Sequence, residues 1–243
     1  MPGYSVRALP SKATPPWGEQ LAGRIAAYAA SRPSVDLDVA EMVGLRVVDS
    51  LAVALAAINR RPVASARAMA LAHPRAGGAA LFGLPATVTV DCEWAAFANG
   101  VAVRELDYND TYLAADFAHP SDCIAPLLAV AQQTGKLGPD LTRAIAVAYE
   151  IHVALVDAID LHSFKKDHVA HLAPAVAAGL GALLGLAAPV IYQAVNQSVH
   201  LSFATRQSRK GEISSWKAYA PAQAGKIAIE AIDRSMRGEG APN

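Results

Sequence analysis

Aromatic residues and cysteines are scarce in this chain of 243 residues. Aromatic side chains make up 6% of the sequence and charged ones 17%, whereas apolar ones make up 53%. Alanine supplies most of that apolar fraction. Because alanine loses no side-chain entropy on entering a helix, the composition favours an all-α fold whose helices pack closely through small side chains.

The chain also lacks net charge, since 21 basic residues balance 21 acidic ones. No long-range field is available to attract nucleic acid or anionic lipid, so neither is predicted as a partner. The two cysteines, Cys92 and Cys123, are too few for a disulfide framework. They are also fewer than the roughly four thiolates that usually hold an iron–sulfur cluster. We therefore predict a reducing cytoplasmic location and no cofactor.

Apolar residues recur at helical spacing along most of the chain. We expect a first helix near Trp17, a second from Asp36, and a third that ends at Ala72. The second carries a stripe predicted to face the core: Val39, Val43, Val47, Leu51 and Leu55. Residues 75–90, with their glycines and β-branched residues, are predicted to be extended. Further helices are predicted over 92–106, 123–134, 139–160, 167–187, 188–203 and 221–236.

The predicted organisation is one large multi-helix domain over residues 17–236. Residues 1–16 are polar and proline-rich, and we expect a disordered arm there. Residues 237–243 have the composition of a linker, which suggests a missing second domain. Residues 172–195 contain no charge, but their glycines and prolines favour two buried helices over a membrane span.

Three polar segments interrupt the apolar pattern. The first, residues 107–122, places Asp107, Thr111 and His119 between two apolar helices, where catalytic groups are common. The alternative is that its acids are solvated turn residues and that Ser121 or Asp122 caps the next helix.

The second segment contains His162, His168 and His171. Zinc is the obvious ligand for such a group, but no His-Glu-x-x-His pattern is present and the cysteines are distant in sequence, so no metal is predicted. The alternative is that His168 lies near a helix start and that His171 is a hydrogen-bonded core residue.

The third segment, residues 205–217, places Arg206, Arg209 and Lys217 among hydroxyls and glycine. Arginine and lysine are natural partners of carboxylates. A nucleic-acid patch is disfavoured by the zero net charge, and a solvated surface loop remains the alternative.

From about residue 18 onward, these motifs together resemble the MmgE/PrpD family, which contains 2-methylcitrate dehydratase. The segments that carry the resemblance are 105–111 (ELDYNDT), 119–122 (HPSD), His171 at a helix start, 206–212 (RQSRKGE) and 214–218 (SSWKA). The resemblance implies a helical domain that binds a di- or tricarboxylate without metal, in a homodimer, with a C-terminal α+β domain absent from this chain. It places active-site positions on Asp107, Thr111, His119, His171 and Lys217.

The implied reaction is the dehydration of 2-methylcitrate to 2-methyl-cis-aconitate in propionate catabolism. Such a reaction needs a base, for which His171 is the first choice, and an acid, for which His119 or a partner held by Asp107 is suited. Lys217, with Arg206 or Arg209, would stabilise charge on the substrate. Three alternatives remain open: cis-aconitate decarboxylation, iminodisuccinate epimerisation, and a non-catalytic carboxylate-binding module.

Overall fold

The computed structural model describes residues 10, 13, 15–212 and 214–242, without the side chains of Ser208 and Arg209. Within these ranges the chain is mostly helical, which confirms the predicted all-α class, whereas most of the predicted arm (1–16) lies outside the described residues. The nine helices are α1 (Leu21–Ala30), α2 (Leu37–Ala56), α3 (Arg61–Leu71), α4 (Cys92–Arg104), α5 (Ile124–Thr134), α6 (Gly138–Ala158), α7 (Leu172–Leu184), α8 (Ala188–Ser202) and α9 (Trp216–Met236).

Two small antiparallel sheets complete the described secondary structure. Strands β1 (Pro74–Ala80) and β2 (Thr89–Val90) lie in the segment predicted to be extended. Strands β3 (Tyr112–Leu113) and β4 (Phe117–Ala118) form a hairpin that was not predicted. That hairpin folds the polar segment 107–122 back on itself, so residues at its two ends meet.

Two helix pairs, α5–α6 and α7–α8, are joined by the same kind of corner. Each first helix is followed by a glycine, Gly135 or Gly185, with a positive φ of 64° or 71°. That left-handed conformation suits glycine, which has no Cβ to clash. Each second helix carries a proline, Pro139 or Pro189, in its first turn, where a missing N–H costs nothing. As predicted, the second corner divides 172–195 into two helices, and no described helix has the length and apolarity to cross a membrane.

Helix α7 lies at the centre of the fold, and its residues from Leu172 to Leu183 are all buried. It packs against α1, α6, α8 and α9. Its glycines permit this closeness: a Cβ added at Gly179 would lie 2.9 Å from the carbonyl oxygen of Ala144. Small side chains therefore set the spacing between the central helices, as the alanine-rich composition predicts.

Helix α2 buries only part of the stripe that was predicted to face the core. Val43 is buried, Val47 and Leu51 are half-buried, and Val39 and Leu55 are exposed. The prediction of a core-facing stripe was therefore wrong at the two ends of the stripe. The physical reason is that α2 is peripheral and packs on α4 and α6 through its smaller residues.

Helix α9 begins earlier than predicted, at Trp216, and continues through Pro221. A proline near a helix start removes few intrahelical hydrogen bonds, and its fixed φ suits the helix, so Pro221 does not delimit α9. The early start places Lys217 in the first helical turn. After α9 the chain returns along α8, where the Ala241 N–H donates to Oε1 of Gln193 at 2.8 Å.

We predict that Gly179→Ala destabilises the protein by about 1–3 kcal/mol, because the added methyl overpacks the α6–α7 contact. At a solvent-exposed position inside a helix, the same change would stabilise the folded protein by about 1 kcal/mol. Urea unfolding measures the effect. Gly138→Ala is the matched control, since no atom lies within 4 Å of its added Cβ. A Gly179→Ala variant as stable as the parent would contradict the close packing of α7.

Candidate active site

A cavity of about 340 Å³ collects side chains from all three polar segments. Its lining residues are Arg104, Asp107, Phe117, His119, His162, Asp167, His168, Arg206, Lys210, Glu212, Ser214, Trp216 and Lys217. A more open cleft of about 560 Å³ lies around Trp94, away from these segments. Four of the predicted site residues line this cavity, namely Asp107, His119, Arg206 and Lys217. Its size is typical of small-ligand sites.

An ion-pair chain links segments that are more than a hundred residues apart. Nζ of Lys217 donates to Oδ2 of Asp107 at 2.7 Å, and a guanidinium nitrogen of Arg104 lies 3.2 Å from Oδ1. Burial of Asp107 opposes ionisation, but the Lys217 hydrogen bond and the two cations together lower the pKa of Asp107. Asp107 also has a positive φ of 57°, a conformation that aspartate tolerates better than most residues.

Hydrogen bonds fix the orientation of His119. Its Nδ1 lies 2.8 Å from the carbonyl oxygen of Asp110, which can only accept, so Nδ1 carries the proton. Thr111 Oγ1 lies 3.4 Å from the same nitrogen, and Nε2 lies 3.8 Å from Oδ1 of Asp107. Burial, and then the Arg104 charge, lower the pKa of His119 to about 4. His119 is therefore neutral at pH 7, with an unprotonated Nε2 on the side of Asp107.

Several polar side chains of the loop 107–122 are hydrogen-bonded within the protein. Asp110 accepts from the Ser121 N–H and from the hydroxyl of Tyr149, each at 2.9 Å. Asn109 donates to Ser121 Oγ and to Asp122 Oδ1. Neither Ser121 nor Asp122 caps helix α5, whose N-cap is Cys123 and has no side-chain hydrogen bond. The capping alternative is thus wrong, because these side chains accept from Asn109.

A carboxylate that the sequence did not single out, Asp116, lies at the base of the histidine segment. Its side chain is fully buried, and it accepts the N–H groups of Phe117 at 2.9 Å and Leu161 at 3.1 Å. Oδ1 also accepts a short hydrogen bond from Nδ1 of His162. Oδ2 lies 3.4 Å from Nε2 of His171 but without hydrogen-bond geometry. Asp116 therefore faces two imidazoles at once.

The three histidines of this segment differ in their access to the cavity. His162 and His168 line it, with their rings 5.9 Å apart and nearly parallel, and Phe117 packs 4.4 Å from each. His171 is 3% exposed and is not one of the described residues that line the cavity. Burial is the main cause of its lowered pKa. The predicted catalytic role of His171 remains a prediction, and its connection to the cavity runs through Asp116.

The third segment contributes further residues to the cavity wall. The Arg206 N–H donates to the Lys165 carbonyl at 2.9 Å, and Thr205 pairs with Lys166, so the segment is attached to the histidine segment. Arg206 and Lys210 line the cavity. The side chain of Arg209, a predicted substrate ligand, lies outside the described part of the chain.

One group of side chains has ligand atoms close enough for a metal ion. Oxygens of Asp116 and Asp160 and a nitrogen of His162 lie within 4.8 Å of one another. However, both Asp116 oxygens already accept backbone N–H groups, and Oδ1 also accepts from His162. This pattern satisfies the carboxylate by hydrogen bonds and gives no positive support for a cation there.

Three cavity or near-cavity groups were given no role from the sequence, namely Arg104, Asp116 and Phe117, whereas His162 was named there as a member of the histidine segment. Arg104 ends a largely apolar helix, which is an unusual place for an unpaired charge. That position was the available signal, since an arginine there requires acidic partners. No comparable signal marked Asp116, because its partners are backbone amides and a histidine 46 residues away.

We predict that the free energy of unfolding decreases as pH falls from 7 to 4.5. Burial lowers the pKa of His119 to about 4 and that of His152 to about 3, whereas unfolded histidines titrate near 6.5. Between these values the unfolded state binds more protons, so stability rises with pH by at most about 1.4 kcal/mol per pH unit for each histidine. Urea unfolding at several pH values measures the slope.

His119→Gln should reduce that slope, and His200→Gln, which changes an exposed histidine of α8, should leave it unaltered. An identical slope in the His119→Gln variant would mean that His119 binds as many protons in the folded protein as in the unfolded one, and that folding does not lower its pKa.

Three named relatives share part of this sequence. A probable 2-methylcitrate dehydratase of Saccharomyces cerevisiae is 32% identical over 42% of this chain and 22% of its own length. The mitochondrial 2-methylcitrate dehydratase of Yarrowia lipolytica is 29% identical over 62% of this chain and 31% of its own. The 2-methylcitrate dehydratase of Escherichia coli is 32% identical over 42% and 23%.

The chain thus spans less than a third of the length of these relatives. The match to a protein family is more extensive: the MmgE/PrpD N-terminal domain aligns with residues 20–243, which include every segment that lines the cavity. The chain therefore belongs to the MmgE/PrpD family and represents its N-terminal domain.

Proposed function

We propose that this domain provides the acid–base and carboxylate-binding groups of a hydro-lyase that dehydrates 2-methylcitrate to 2-methyl-cis-aconitate in propionate catabolism. The observation that carries the proposal is the pairing of Lys217 with Asp107 beside His119 on one cavity wall. Two chain segments that are far apart in sequence contribute to this arrangement. The names of the relatives support the same reaction class.

Charge complementarity supports a tricarboxylate as the ligand. Four cationic side chains line the cavity, namely Arg104, Arg206, Lys210 and Lys217. Asp107 already pairs with two of them, Arg104 and Lys217, and the other two lie in the third polar segment. A substrate with three carboxylates would meet fixed cations in a partly desolvated site, where such interactions are stronger than in water.

Within this proposal His119 is the base. Its Nε2 is unprotonated, and Asp110 and Thr111 hold the ring through Nδ1. Bound carboxylates would add negative charge beside the imidazole and raise its pKa from about 4 toward the operating pH. This assignment differs from the sequence-based one, which gave the base to His171. We assign the base to His119 because its side chain lines the cavity, whereas that of His171 does not.

The family scaffold also suits other reactions in which negative charge develops next to a carboxylate of the substrate. Two of these are cis-aconitate decarboxylation and iminodisuccinate epimerisation. The same groups would also suffice for a module that binds carboxylates without turnover. Product analysis with 2-methylcitrate, cis-aconitate and iminodisuccinate separates these functions. Binding of tricarballylate without any product would identify a non-catalytic module.

Lys217→Ala should lower the rate of 2-methyl-cis-aconitate formation about a hundredfold or more, since it removes a charge that stabilises the transition state. The assay contains a chelator, because the proposed mechanism uses no metal. Lys226→Ala is the matched control: Lys226 is also on α9 but lies over Trp94, in the other cleft. Normal turnover in Lys217→Ala would remove Lys217 from the site, and dependence on a metal would contradict the metal-free mechanism.

We also propose that the chain forms a homodimer through helix α2. An apolar stripe on this helix is exposed and comprises Leu37, Leu45, Val48 and Leu55. Contiguous exposed apolar residues mark interaction surfaces, and twofold dimers pair one such surface with itself.

Val48→Lys should convert the dimer to a monomer in sedimentation experiments, because it buries a charge at the interface. Leu137→Lys, which changes a similarly exposed residue between α5 and α6, should leave the dimer intact. A parent chain that sediments as a monomer at all concentrations would rule out this dimer.

We further propose a cytoplasmic location. It rests on Cys92 and Cys123, which are free and buried in the structure. Because one relative is named as mitochondrial, fractionation of the native cells is the direct measurement.

A further inference from the structure

We propose that His162 is the proton donor of the site and that buried Asp116 is its positioning residue. The inference rests on the proposed function, since it assigns the acid of the same dehydration. Neither residue is among the active-site positions implied by the family resemblance.

Asp116 has the surroundings of an ionised carboxylate. Its side chain has no solvent exposure, which would be costly for an unpaired charge. Backbone N–H groups of Phe117 and Leu161 donate one hydrogen bond to each oxygen. These donors come from two different segments, so the carboxylate is held in place. An ionised carboxylate can only accept, and the nitrogen of His162 that faces it must therefore carry a proton.

That hydrogen bond determines which nitrogen of His162 is left for the cavity. Nδ1 donates to Oδ1 of Asp116, and Nε2 lies on the other edge of the ring. Phe117 and His168 pack beside the ring with centroid distances of 4.4 and 5.9 Å, which limits its rotation. Since His162 lines the cavity, Nε2 is the atom able to exchange a proton with a bound ligand. A buried aspartate orients histidine in this way in Ser-His-Asp triads.

Dehydration requires a proton for the departing hydroxide as well as a base. His119 Nε2 removes the proton beside a carboxylate, and the C–H electron pair becomes the second bond of the new C=C. The C–O bond then breaks with its electron pair on oxygen. The proton on His162 Nε2 transfers to that oxygen, and water leaves. Before the transfer, the His162 imidazolium pairs with the Asp116 carboxylate.

The same arrangement gives His171 an indirect connection to the reaction. Its Nε2 lies 3.4 Å from Oδ2 of Asp116, the carboxylate that holds His162. Asp160 is the other acidic group close to the His162 ring. Its carboxylate accepts from Ser163, whereas Nδ1 of His162 donates to Asp116. Asp160→Asn therefore removes a neighbouring charge but leaves the Asp116 hydrogen bond intact.

The first test is NMR of the ¹⁵N-histidine-labelled chain, which reports protonation at each ring nitrogen. In the parent protein at neutral pH, Nδ1 of His162 should carry a proton with a strongly downfield, hydrogen-bonded resonance. Asp116→Asn should abolish that resonance, and Asp160→Asn should retain it. A His162 ring protonated only on Nε2 in the parent would overturn the proposal, whatever the stability of the Asp116→Asn variant.

The second test is kinetic and separates acid catalysis from a structural role. His162→Gln should reduce kcat for 2-methylcitrate about a hundredfold with little change in KM, as for loss of a general acid. An analogue with fluorine in place of the hydroxyl loses fluoride, which needs no proton, so its elimination by His162→Gln should be close to that of the parent. His200→Gln is the control variant.

Equal loss with both substrates would show that His162 is structural, and normal turnover of 2-methylcitrate would remove it from the mechanism; either result overturns the proposal but leaves the proposed function standing. A parent chain that turns over neither substrate would count against the proposed function, and the acid role of His162 would fail with it.

Discussion

The site depends on hydrogen bonds to two inward-facing carboxylates of the polar loop 107–122, the half-buried Asp110 and the buried Asp116. Asp110 and Asp116 are each satisfied by a backbone N–H from a separate segment or by a distant side chain. A buried carboxylate without such donors would be neutralised or excluded from the fold. These bonds hold the loop 107–122 against α6 and the histidine segment. The positions of His119 and His162 follow from them, because each imidazole bonds to this loop.

The helices provide a rigid support for that loop. Helix α7 is buried from Leu172 to Leu183. It lies so close to α6 that a methyl group added at Gly179 would contact a backbone oxygen of α6. Close packing of small residues leaves little freedom for the helices to shift. A site that must place acid, base and cations around one substrate benefits from such support, since small displacements weaken catalysis.

Charge is distributed unevenly around the cavity although the whole chain is neutral. Arg104 is 3% exposed and lies between Asp107 and Asp122, which compensate its burial. The same guanidinium helps to keep His119 neutral. One buried cation thus stabilises the carboxylate that pairs with Lys217 and disfavours a second positive charge on the neighbouring imidazole. Sites that transfer protons commonly favour the charged form of one group and the neutral form of its neighbour.

The sequence by itself determined the helical class, the Gly/Pro corners and the three segments that form the cavity. These features are local, because helix propensity, glycine conformation and clusters of polar residues depend on near neighbours in the chain. It also indicated Asp107, His119 and Lys217, which the structure brings together. Only the tertiary structure decided that α2 exposes both ends of its predicted apolar stripe and that α9 continues through Pro221.

The tertiary structure also decided which histidines line the cavity. Residue spacing does not distinguish among His162, His168 and His171. In the structure a 3-10 turn spans His168–His171, and the ring of His171 lies against Asp116 instead of lining the cavity. The pairing of Asp116 with His162 spans 46 residues and depends on the backbone N–H of Leu161. Sequence spacing carries no information about such a contact, because burial and long-range packing, rather than local preference, determine which donors a carboxylate meets.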